Sequence, residues 1–424
     1  MLQLKQIISE PQEIINRLKT KNFDANLIVN EILEMDKNRR SLQKELDDKK
    51  SQQNTISKQI GQFFKEGKQQ EVEALKLQSV MLKDEISRLE SEFEPLDKKM
   101  YELIVKLPNL PHLSVPQGKL AEDNQIVRQG GQIPTLHSNA LAHWDLAKKY
   151  NLIDFELGNK ITGAGFPLYI GKGAKLQRAL ISYFLDQASK AGFTEYEAPL
   201  MVNYDTAYAT GQLPDKDEQM YYVEKDKFYL IPTAEVPLTN IYRDVILEEN
   251  QLPIKLTGYT PCFRREAGSY GKDVRGLNRL HQFDKVEIVV VSKPEESYNM
   301  LEMMVEHVEN LVKSLELPYR IVKLCGGDMS FTSALTYDFE CYSAAQQKWL
   351  EVSSVSNFET FQSNRLKLRY KPKGSKNTVL AHTLNGSALA LPRIVASLLE
   401  NNQTQNGIKV PKVLVPYTGF EIID

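Results

Sequence analysis

Cysteine is scarce in this sequence, which has three cysteines among 424 residues: Cys262, Cys325 and Cys341. An odd number of cysteines without C-x-x-C spacing argues against a disulfide framework and against a structural zinc ribbon, so no zinc is expected. This use of cysteine is typical of a reducing compartment. We therefore expect a cytoplasmic protein.

Long hydrophobic runs and an excess of charge of one sign are also missing. No stretch approaches the roughly 18 apolar residues that a membrane span requires, and the start, MLQLKQIISEPQEII, lacks the segments of a signal peptide. The net charge is only −2, so a polyanionic partner would have to be bound by local basic clusters. With 424 residues the chain is long for a single domain, so we expect two domains. Its hydrophobic content of 42% is enough for a sizeable core.

Glycine is almost absent from residues 25–107, a region rich in lysine, glutamate, glutamine and leucine. Mostly apolar residues recur at steps of three and four over residues 32–63 and again over 72–107, on either side of a polar break at Gly67. Each half is long enough for a helix of roughly 50 Å. The pattern predicts an antiparallel helical hairpin, in which Pro95 kinks the second helix or ends and restarts it.

The role of this arm stays open from its residues alone. A dimerising coiled coil or a spacer is the commoner use of such a hairpin. The alternative is an arm that reaches a large partner and offers basic side chains to phosphates. The basic residues in question are Arg39, Arg40, Lys44, Lys49, Lys50 and Lys58. Acidic residues are interleaved with them, so charge does not decide between the two interpretations.

A proline-rich segment, residues 108–125, predicts a linker between the arm, residues 1–107, and a globular body, residues 126–424. In the body, an amphipathic helix over Lys175 to Gly192 precedes several strands that are joined mostly by hairpins. The predicted strands include residues 228–231, 256–266, 280–291, 320–323 and 349–355. We therefore predict an α+β fold, with a mainly antiparallel sheet flanked by helices, and not a doubly wound parallel sheet.

The stretch FRREAGSYGKDVRGLNRLHQFDKVEIVVV, residues 263–291, predicts two strands around a glycine-rich loop. Alternation places Arg264 and Glu266 on one face of the first strand, and Phe283 and Glu287 on one face of the second. If these faces coincide, they offer a guanidinium for phosphate, a carboxylate for an exocyclic amine and a ring for a base. A salt bridge on a solvated face is the blander alternative for an isolated hairpin, and the loop residues Lys272, Arg275 and Arg279 fit that alternative equally well.

Three further segments favour a binding site. IPTAEVPLTN, residues 231–240, sets Thr233 and Glu235 where a strand gives way to a helix. LEVSSVSNF, residues 350–358, offers oxygen ligands of the kind that Mg²⁺ prefers. TLNGSALALPRIVASLLEN, residues 383–401, predicts a strand followed by a helix with Arg393 in its first turn. Each segment is weak evidence alone, but their joint occurrence in this order argues against chance.

Taken together, these segments resemble the seryl-tRNA synthetases, which are class II aminoacyl-tRNA synthetases. The resemblance covers nearly the whole chain, from the arm through PNLPHLSVP to the closing VLVPYTGFEII. GFTEYEAP resembles class motif 1, a dimer element, FRREAGSYGKDVRGLNRLHQFDKVE resembles motif 2, and NGSALALPR resembles motif 3. The resemblance implies a tRNA-binding arm and a class II catalytic body that forms a homodimer.

The implied activity has two steps. L-Serine is activated with ATP and Mg²⁺ to seryl-adenylate, and the seryl group then passes to the 3′-terminal ribose of tRNA(Ser), and also of tRNA(Sec). No DNA or membrane partner is implied. Two alternatives remain: a synthetase-like amino acid:carrier-protein ligase, against which the long arm argues, and a catalytically silent coiled-coil scaffold, against which the complete set of polar residues argues.

The resemblance also assigns residues by position. The serine-binding set is Thr233, Ala234, Glu235, Arg264, Glu287 and Ser387, and the ATP-binding set is Arg264, Arg265, Glu266, Phe283, Glu351, Val352, Ser353, Ser354 and Arg393. Glu351 and Ser354 would hold Mg²⁺, which requires a bulge or a strand end because strict alternation places them on opposite faces. Ala388 and Pro392 stand where relatives commonly have glycine, a departure that spares Ser387 and Arg393.

Overall fold

The computed structural model describes residues 1–215, 218–267 and 275–424. Lys272 and the glycines at 268 and 271 lie outside the described residues. The chain divides into two compact units, the first formed by Met1–Lys19 and Phe23–Pro108, the second by Thr20–Asn22 and Asn109–Asp424. Within the described part of the chain, no helix has both the length and the apolar character needed to cross a membrane.

The first unit is helical. Its helices are α1 (Leu4–Ser9), α2 (Pro11–Leu18), α3 (Asn26–Lys65) and α4 (Gln69–Val105). The long helices α3 and α4 pack against each other around buried side chains that lie on the predicted seam, among them Ile32, Met35, Leu46, Ile56, Val72, Leu82, Ile86 and Leu89. Ion pairs between the helices, such as Lys49–Glu85 at 2.6 Å and Lys99–Glu31 at 3.3 Å, show that they run antiparallel. The predicted helical hairpin is confirmed.

Pro95 lies inside α4 without ending it, so the predicted alternative of a helix that ends and restarts there is wrong. Proline removes one backbone hydrogen bond, which frees the carbonyl of Ser91 four residues earlier. Both residues are exposed. Water can therefore satisfy that carbonyl, and the helix continues.

The second unit is built on an eight-stranded sheet with smaller sheets around it. In chain order the strands are β1 (Gln125–Gly130), β2 (Ile153–Asp154), β3 (Leu168–Tyr169), β4 (Thr194–Glu195), β5 (Met201–Val202), β6 (Tyr222–Val223), β7 (Phe228–Leu230), β8 (Ile246–Glu248), β9 (Ile254–Phe263), β10 (Gln282–Ser292), β11 (Tyr319–Lys323), β12 (Leu335–Ser343), β13 (Lys348–Asn357), β14 (Arg369–Lys371), β15 (Val379–Leu380), β16 (His382–Ala390), β17 (Gln403–Thr404), β18 (Gly407–Lys409) and β19 (Ile422–Ile423). The large sheet has the order β1-β11-β12-β13-β16-β10-β9-β4. Every pairing in it is antiparallel except that of β4 with β9, which confirms the predicted α+β class.

Several helices pack on one face of this sheet and form the main core with it. The helices of the second unit are α5 (His143–Lys149), α6 (Phe155–Ile161), α7 (Gly171–Lys190), α8 (Tyr204–Thr210), α9 (Glu235–Asn240), α10 (Ser297–Ser314), α11 (Thr360–Leu366), α12 (Leu391–Asn401) and α13 (Val415–Thr418). Helices α7, α10 and α12 contribute to the main core together with Val286, Ile288 and Val290 of β10. Because side chains alternate along a strand, Lys285 and Glu287 of β10 point to the other face. That face carries the candidate site.

Candidate active site

A cavity of about 670 Å³ lies within the second unit and is lined by residues of β10, β12, β13 and β16 and of the segments that follow β7 and β9. The structure brings most of the predicted serine- and ATP-binding residues to this cavity. The predicted residues that line it are Thr233, Glu235, Arg264, Glu266, Phe283, Glu287, Glu351, Val352, Ser353, Ser354, Ser387 and Arg393. A single cavity thus collects predicted residues from Thr233 to Arg393, which are far apart in the sequence.

Two predicted residues are placed elsewhere. Ala234 is fully buried in an apolar cluster with Leu238, Leu256 and Val289, so its methyl group faces the core. Arg265 has a half-exposed side chain that points toward Glu218, at 3.8 Å, and only its backbone N–H is fixed, by donation to the carbonyl of Gln219 at 2.8 Å. Neither side chain lines the cavity.

The floor of the cavity holds a buried hydrogen-bonded triad. The Lys285 ammonium lies 2.6 Å from Oε2 of Glu287 and donates to Oγ1 of Thr233 at 2.9 Å. The Thr233 hydroxyl in turn donates to the same Glu287 oxygen at 3.0 Å. All three side chains are buried, so the contacts fix the Glu287 carboxylate in one orientation.

Glu235 opens α9 at the edge of this floor and is buried. Burial, reinforced by the charge of Glu287, raises the pKa of Glu235 to about 7. Gln362 donates to its Oε1 at 2.5 Å, which favours the ionised form but does not outweigh burial. The floor therefore contains two carboxylates and one ammonium, a suitable receptor for a small amino acid that carries a positive charge of its own.

Arg264 and Phe283 form the next part of the wall. The guanidinium carbon of Arg264 lies 5.2 Å from the centre of the Phe283 ring, within the range of a cation–π contact. Strand β9 ends at Phe263, and the backbone N–H of Arg264 donates to His281 at 2.9 Å. The prediction that Arg264 and Glu266 share one face of a strand is therefore wrong, because both residues follow the end of β9. Both nevertheless line the cavity.

Glu266 owes its position to an unusual backbone. Its φ is +49°, in the left-handed region that non-glycine residues seldom adopt. Its Oε2 accepts from Nη1 of Arg279 at 3.2 Å. The turn directs the carboxylate into the cavity, where it is available to an amine donor.

The segment Glu351 to Ser354 lies on β13, where the ladder with β12 is irregular. Phe339 pairs with Ser353 while the next residue, Glu340, pairs with Glu351, so Val352 is an extra residue on β13. Such a bulge shifts the alternation of side chains by one position. It is the irregularity needed for Glu351 and Ser354 to face the same cavity, and both line it.

Arg393 lies in the first turn of α12, after Leu391 and Pro392. Its Nη1 donates to the carbonyl of Glu351 at 2.7 Å and lies 3.5 Å from Oε2 of that residue. Its Nε donates to the carbonyl of Asn278 at 3.2 Å. Proline at position 392 fits here because the first helical turn needs no N–H from it.

Some lining residues are absent from the predicted set. Lys285 shares the predicted face with Phe283 and Glu287 but has no role assigned from sequence. Thr336 and Asp338 line the cavity from β12, a strand that is not among the predicted ones. The signal for them is the alternation in LTYDFECYS, which places Thr336, Asp338 and Glu340 on one strand face.

Asp338 bears on a metal site. Its Oδ1 is buried and has no hydrogen-bond partner among the described residues. Burial raises the pKa of Asp338 well above its usual range, and the charge of nearby Glu351 adds to this. A carboxylate in this state is suited to a cation. Among the described residues there is no cluster of three or more His, Cys, Asp or Glu that could form a metal site.

The basic arm residues form a separate group in the first unit. Arg39 and Arg40 both pair with Asp36, at 2.9 Å and 2.6 Å. Lys49 and Lys50 pair with glutamates of α4, at 2.6 Å and 2.7 Å. Lys44 and Lys58 are exposed on α3.

Comparison with known proteins covers both units. Residues 1–111 match the family described as the seryl-tRNA synthetase N-terminal domain, and residues 221–402 match the tRNA synthetase class II core domain (G, H, P, S and T). The chain is 50% identical to the serine–tRNA ligase of Salinibacter ruber over an alignment of 421 residues, and this alignment covers 99% of this chain and 98% of that relative. It is 44% identical to the serine–tRNA ligase of Chlorobium phaeobacteroides, with full coverage of both chains.

Solved structures give the same match. The crystal structure of seryl-tRNA synthetase from Pyrococcus horikoshii complexed with ATP is 35% identical, with a TM-score of 0.92 over 100% of this chain and 99% of that one. The cytoplasmic serine–tRNA ligase of Naegleria fowleri in complex with AMP is 27% identical, with a TM-score of 0.87 over the same shares.

Proposed function

Because the chain belongs to the seryl-tRNA synthetase family, we propose that the cavity of its second unit binds serine and ATP side by side and carries out both steps of serine transfer to tRNA. The overall activity follows from the family: the protein is an ATP-dependent class II enzyme that joins serine to tRNA. The comparisons give no support to a carrier-protein ligase or to a silent scaffold. The observation that carries the proposal for the cavity is the convergence in it of a charged floor, a stacked arginine and an oxygen-rich strand.

Serine is assigned to the floor. Its ammonium group would lie between Glu235 and Glu287, and its hydroxyl would bond to Glu287 or Thr233, which are already held in place. Alanine lacks this hydroxyl and would form fewer hydrogen bonds with the floor, and sites that hydrogen-bond a substrate hydroxyl reject such analogues strongly. The set assigned to serine is Thr233, Ala234, Glu235, Arg264, Glu287 and Ser387. Since the side chain of Ala234 faces the core, its part would be played by the backbone.

ATP is assigned to the adjoining wall. Phe283 would stack on adenine, and Glu266 would accept from its exocyclic amine. Arg264 would reach the reacting phosphate and Arg393 the phosphate tail, where guanidinium groups bind charged oxygens in two-point contacts. The remaining members of the set are Arg265, Val352, Ser353, Glu351 and Ser354.

Mg²⁺ is assigned to Glu351 and Ser354. These oxygen ligands suit a hard cation, and Oδ1 of Asp338, which is buried without a hydrogen-bond partner among the described residues, could interact with the same cation. Bound there with ATP, the ion would neutralise charge on the phosphates. Arg264 would stabilise the charge that grows on the α-phosphate as the serine carboxylate attacks it and pyrophosphate leaves, while Arg393 would hold the phosphate tail in position.

The second step would take place in the same cavity. The terminal ribose hydroxyl of the tRNA attacks the carbonyl carbon of seryl-adenylate, the ester bond forms as the bond from that carbon to the phosphate oxygen breaks, and AMP leaves with the hydroxyl proton on its phosphate. No side chain near the floor needs to change protonation for this, since positioning supplies much of the acceleration. We propose tRNA(Ser) as the acceptor and tRNA(Sec) as a second one.

The domain assignment follows this division of work. Residues 1–107 would form the tRNA-binding arm, 108–125 the linker and 126–424 the catalytic domain. Of the six predicted basic residues, Lys44 and Lys58 are the strongest candidates for phosphate contacts, because the other four already pair with carboxylates. We also expect the enzyme to act in the cytoplasm.

A homodimer is proposed from the surface near motif 1. Apolar side chains are exposed there on and around strands β4 to β7, and monomeric proteins rarely expose such groups in clusters. The residues are Tyr196, Leu200, Met201, Tyr204, Tyr222 and Phe228. Light scattering coupled to gel filtration should give twice the 48.4 kDa chain mass. A monomer at micromolar concentration would contradict this part of the proposal.

The experiment that tests the cavity is amino-acid-dependent exchange between ATP and pyrophosphate in the absence of tRNA. We expect exchange with serine and none above background with threonine, alanine or glycine. Exchange requires the amino acid, ATP and Mg²⁺ to meet in one site, so it isolates the first step. No exchange from folded protein in the presence of Mg²⁺ would overturn the proposal.

A further inference from the structure

A buried histidine–glutamate pair lies behind the ATP wall. His143 of α5 and Glu400 of α12 are both completely buried. Nδ1 of His143 lies 2.7 Å from Oε1 of Glu400, and the backbone N–H of His143 donates to the same oxygen at 2.9 Å. None of the steps described above uses either group.

The protonation of His143 follows from its contacts. The backbone N–H of Leu277 donates to Nε2 of His143 at 2.9 Å, so this nitrogen carries a lone pair. The hydrogen of the neutral ring therefore lies on Nδ1 and is donated to Glu400. Burial alone would raise the pKa of Glu400, but hydrogen bonds from His143 and Ser343 hold it below its usual range. The pair is thus a neutral imidazole of one tautomer held by an ionised carboxylate.

Residues 275–277, which lead from the motif 2 loop into β10, contact this pair and its neighbour Trp144. Gly276 approaches the ring so closely that a Cβ atom there would lie 2.2 Å from Nε2 of His143. The Arg275 guanidinium lies 4.5 Å from the ring centre of Trp144, the neighbour of His143. Residues 275–277 are thereby fixed to α5.

The same segment reaches the part of the cavity where Arg393 lies. Leu277 and Asn278 both line the cavity. Asn278 is held through its Nδ2, which donates to Gln346 at 3.1 Å, and Gln346 donates to Glu400 at 2.9 Å. The carbonyl of Asn278 then accepts from Nε of Arg393 at 3.2 Å. A continuous set of hydrogen bonds thus joins the buried pair to the arginine assigned to the phosphate tail.

We propose that His143 and Glu400 are positioning residues for ATP: they fix residues 275–278, and this segment orients Arg393. The inference rests on the proposed role of Arg393. A pair that served stability alone would lower the melting temperature without distinguishing between the two substrates. A positioning pair instead affects ATP more than serine, because the segment touches Arg393 and not the Glu287 floor.

The test uses two substitutions of similar size. In His143→Gln the side-chain amide reaches the place of Nε2, where its oxygen can accept from Leu277. In His143→Asn the shorter amide reaches the place of Nδ1 and leaves the Leu277 N–H without an acceptor. We expect His143→Asn to raise the KM for ATP about tenfold in pyrophosphate exchange, the effect of one buried hydrogen bond, while the KM for serine changes less than about twofold. His143→Gln should restore the KM for ATP to within about threefold of the unchanged protein.

A milder variant tests the same inference in case the His143 variants fail to fold. Gln346→Ala removes the contact with Asn278 from a half-buried turn, and Gln347→Asn, at an exposed neighbour with a φ of +55°, is its control. We expect a rise of about threefold in the KM for ATP for the first and no change for the second. Equal effects on both substrates, or equal effects of the two His143 variants, would overturn the inference. Serine-dependent exchange by the unchanged protein is measured in the same assay, so a failure of the proposed function would be seen separately.

Discussion

At the scale of single residues, the cavity floor is defined by charge. Glu235 and Glu287 face a space that contains one ammonium, that of Lys285, which is bonded to Glu287 and Thr233. Burial keeps Glu235 partly protonated near neutral pH, since its pKa is raised to about 7. The net charge of the empty floor therefore changes across the physiological range, and the binding of a substrate ammonium is coupled to that change.

The first prediction concerns the pH dependence of serine binding. Because the pKa of Glu235 is raised to about 7, the carboxyl is mostly protonated at pH 6 and mostly ionised at pH 8. An ionised group attracts the serine ammonium, so the KM for serine should fall roughly tenfold from pH 6 to pH 8. Pyrophosphate exchange at several pH values measures this. Glu235→Gln should have a higher KM for serine without this slope, and a slope that persists in that variant would assign the effect to another group.

The second prediction concerns Glu287. Glu287→Gln keeps the volume and an acceptor for Thr233 but removes the charge, and we expect kcat/KM for serine to fall about a hundredfold with little change in the KM for ATP. Glu287→Ala should be worse, because it also leaves the buried Lys285 ammonium unpaired. The double variant Glu287→Ala with Lys285→Met separates the two effects: it should regain melting temperature and remain inactive. Normal serine activation by Glu287→Gln would remove Glu287 from the pocket.

At the scale of elements, local patterns were predictable and contacts between strands were not. The face of β10 that carries Phe283, Lys285 and Glu287 follows from alternation within one strand, and the long helices follow from heptad periodicity. The pattern extended the first strand to residue 266, whereas β9 ends at Phe263 and Glu266 has a φ of +49°, a backbone conformation that the alternation of side chains does not predict.

Strand β12 shows the same limit. Its residues alternate, but only the pairing of Asp338 with Ser354 brings a third oxygen group to the segment that carries Glu351. The sequence predicted that an irregularity must occur between Glu351 and Ser354, since two ligands of one metal ion must share a face. The position of the bulge at Val352 was not predictable, because it depends on the register between β12 and β13.

The third prediction tests this oxygen-rich element. Glu351→Gln removes a charged ligand, and we expect the Mg²⁺ concentration for half-maximal exchange to rise about tenfold. The KM for serine should not change, because serine occupies the other end of the cavity. Direct titration with Mn²⁺ in the presence of ATP, followed by electron paramagnetic resonance, gives a readout that does not depend on turnover. Glu421→Gln, at an exposed glutamate that does not line the cavity, is the matched control, and an equal shift in both variants would contradict the assignment of the metal to Glu351.

At the scale of the whole molecule, each unit has its own buried core, and every residue that lines the cavity belongs to the second unit. The first step of the reaction should therefore be independent of the long helices. The sequence allowed this division to be predicted from a change in composition near residue 107, because a glycine-poor heptad region and a strand-rich region bury their apolar residues in different ways.

The last prediction is that the outer part of the arm serves tRNA alone. Lys49 and Glu85 pair across the two helices, so deletion of residues 47–87 with a short glycine-containing turn removes about equal lengths of both. It retains residues 26–46 of α3, the helix that packs with α1 and α2, and residues 88–105 of α4. We expect serine-dependent pyrophosphate exchange within about twofold of the intact enzyme and a fall in tRNA(Ser) charging of a hundredfold or more, because phosphate contacts over a large surface supply much of the affinity for nucleic acid.

The milder variant Lys44→Glu with Lys58→Glu should weaken tRNA charging and leave the KM values for serine and ATP in pyrophosphate exchange unchanged. Full charging by the shortened protein would show that the arm has another role, and the dimerising coiled coil or spacer would then be the better interpretation.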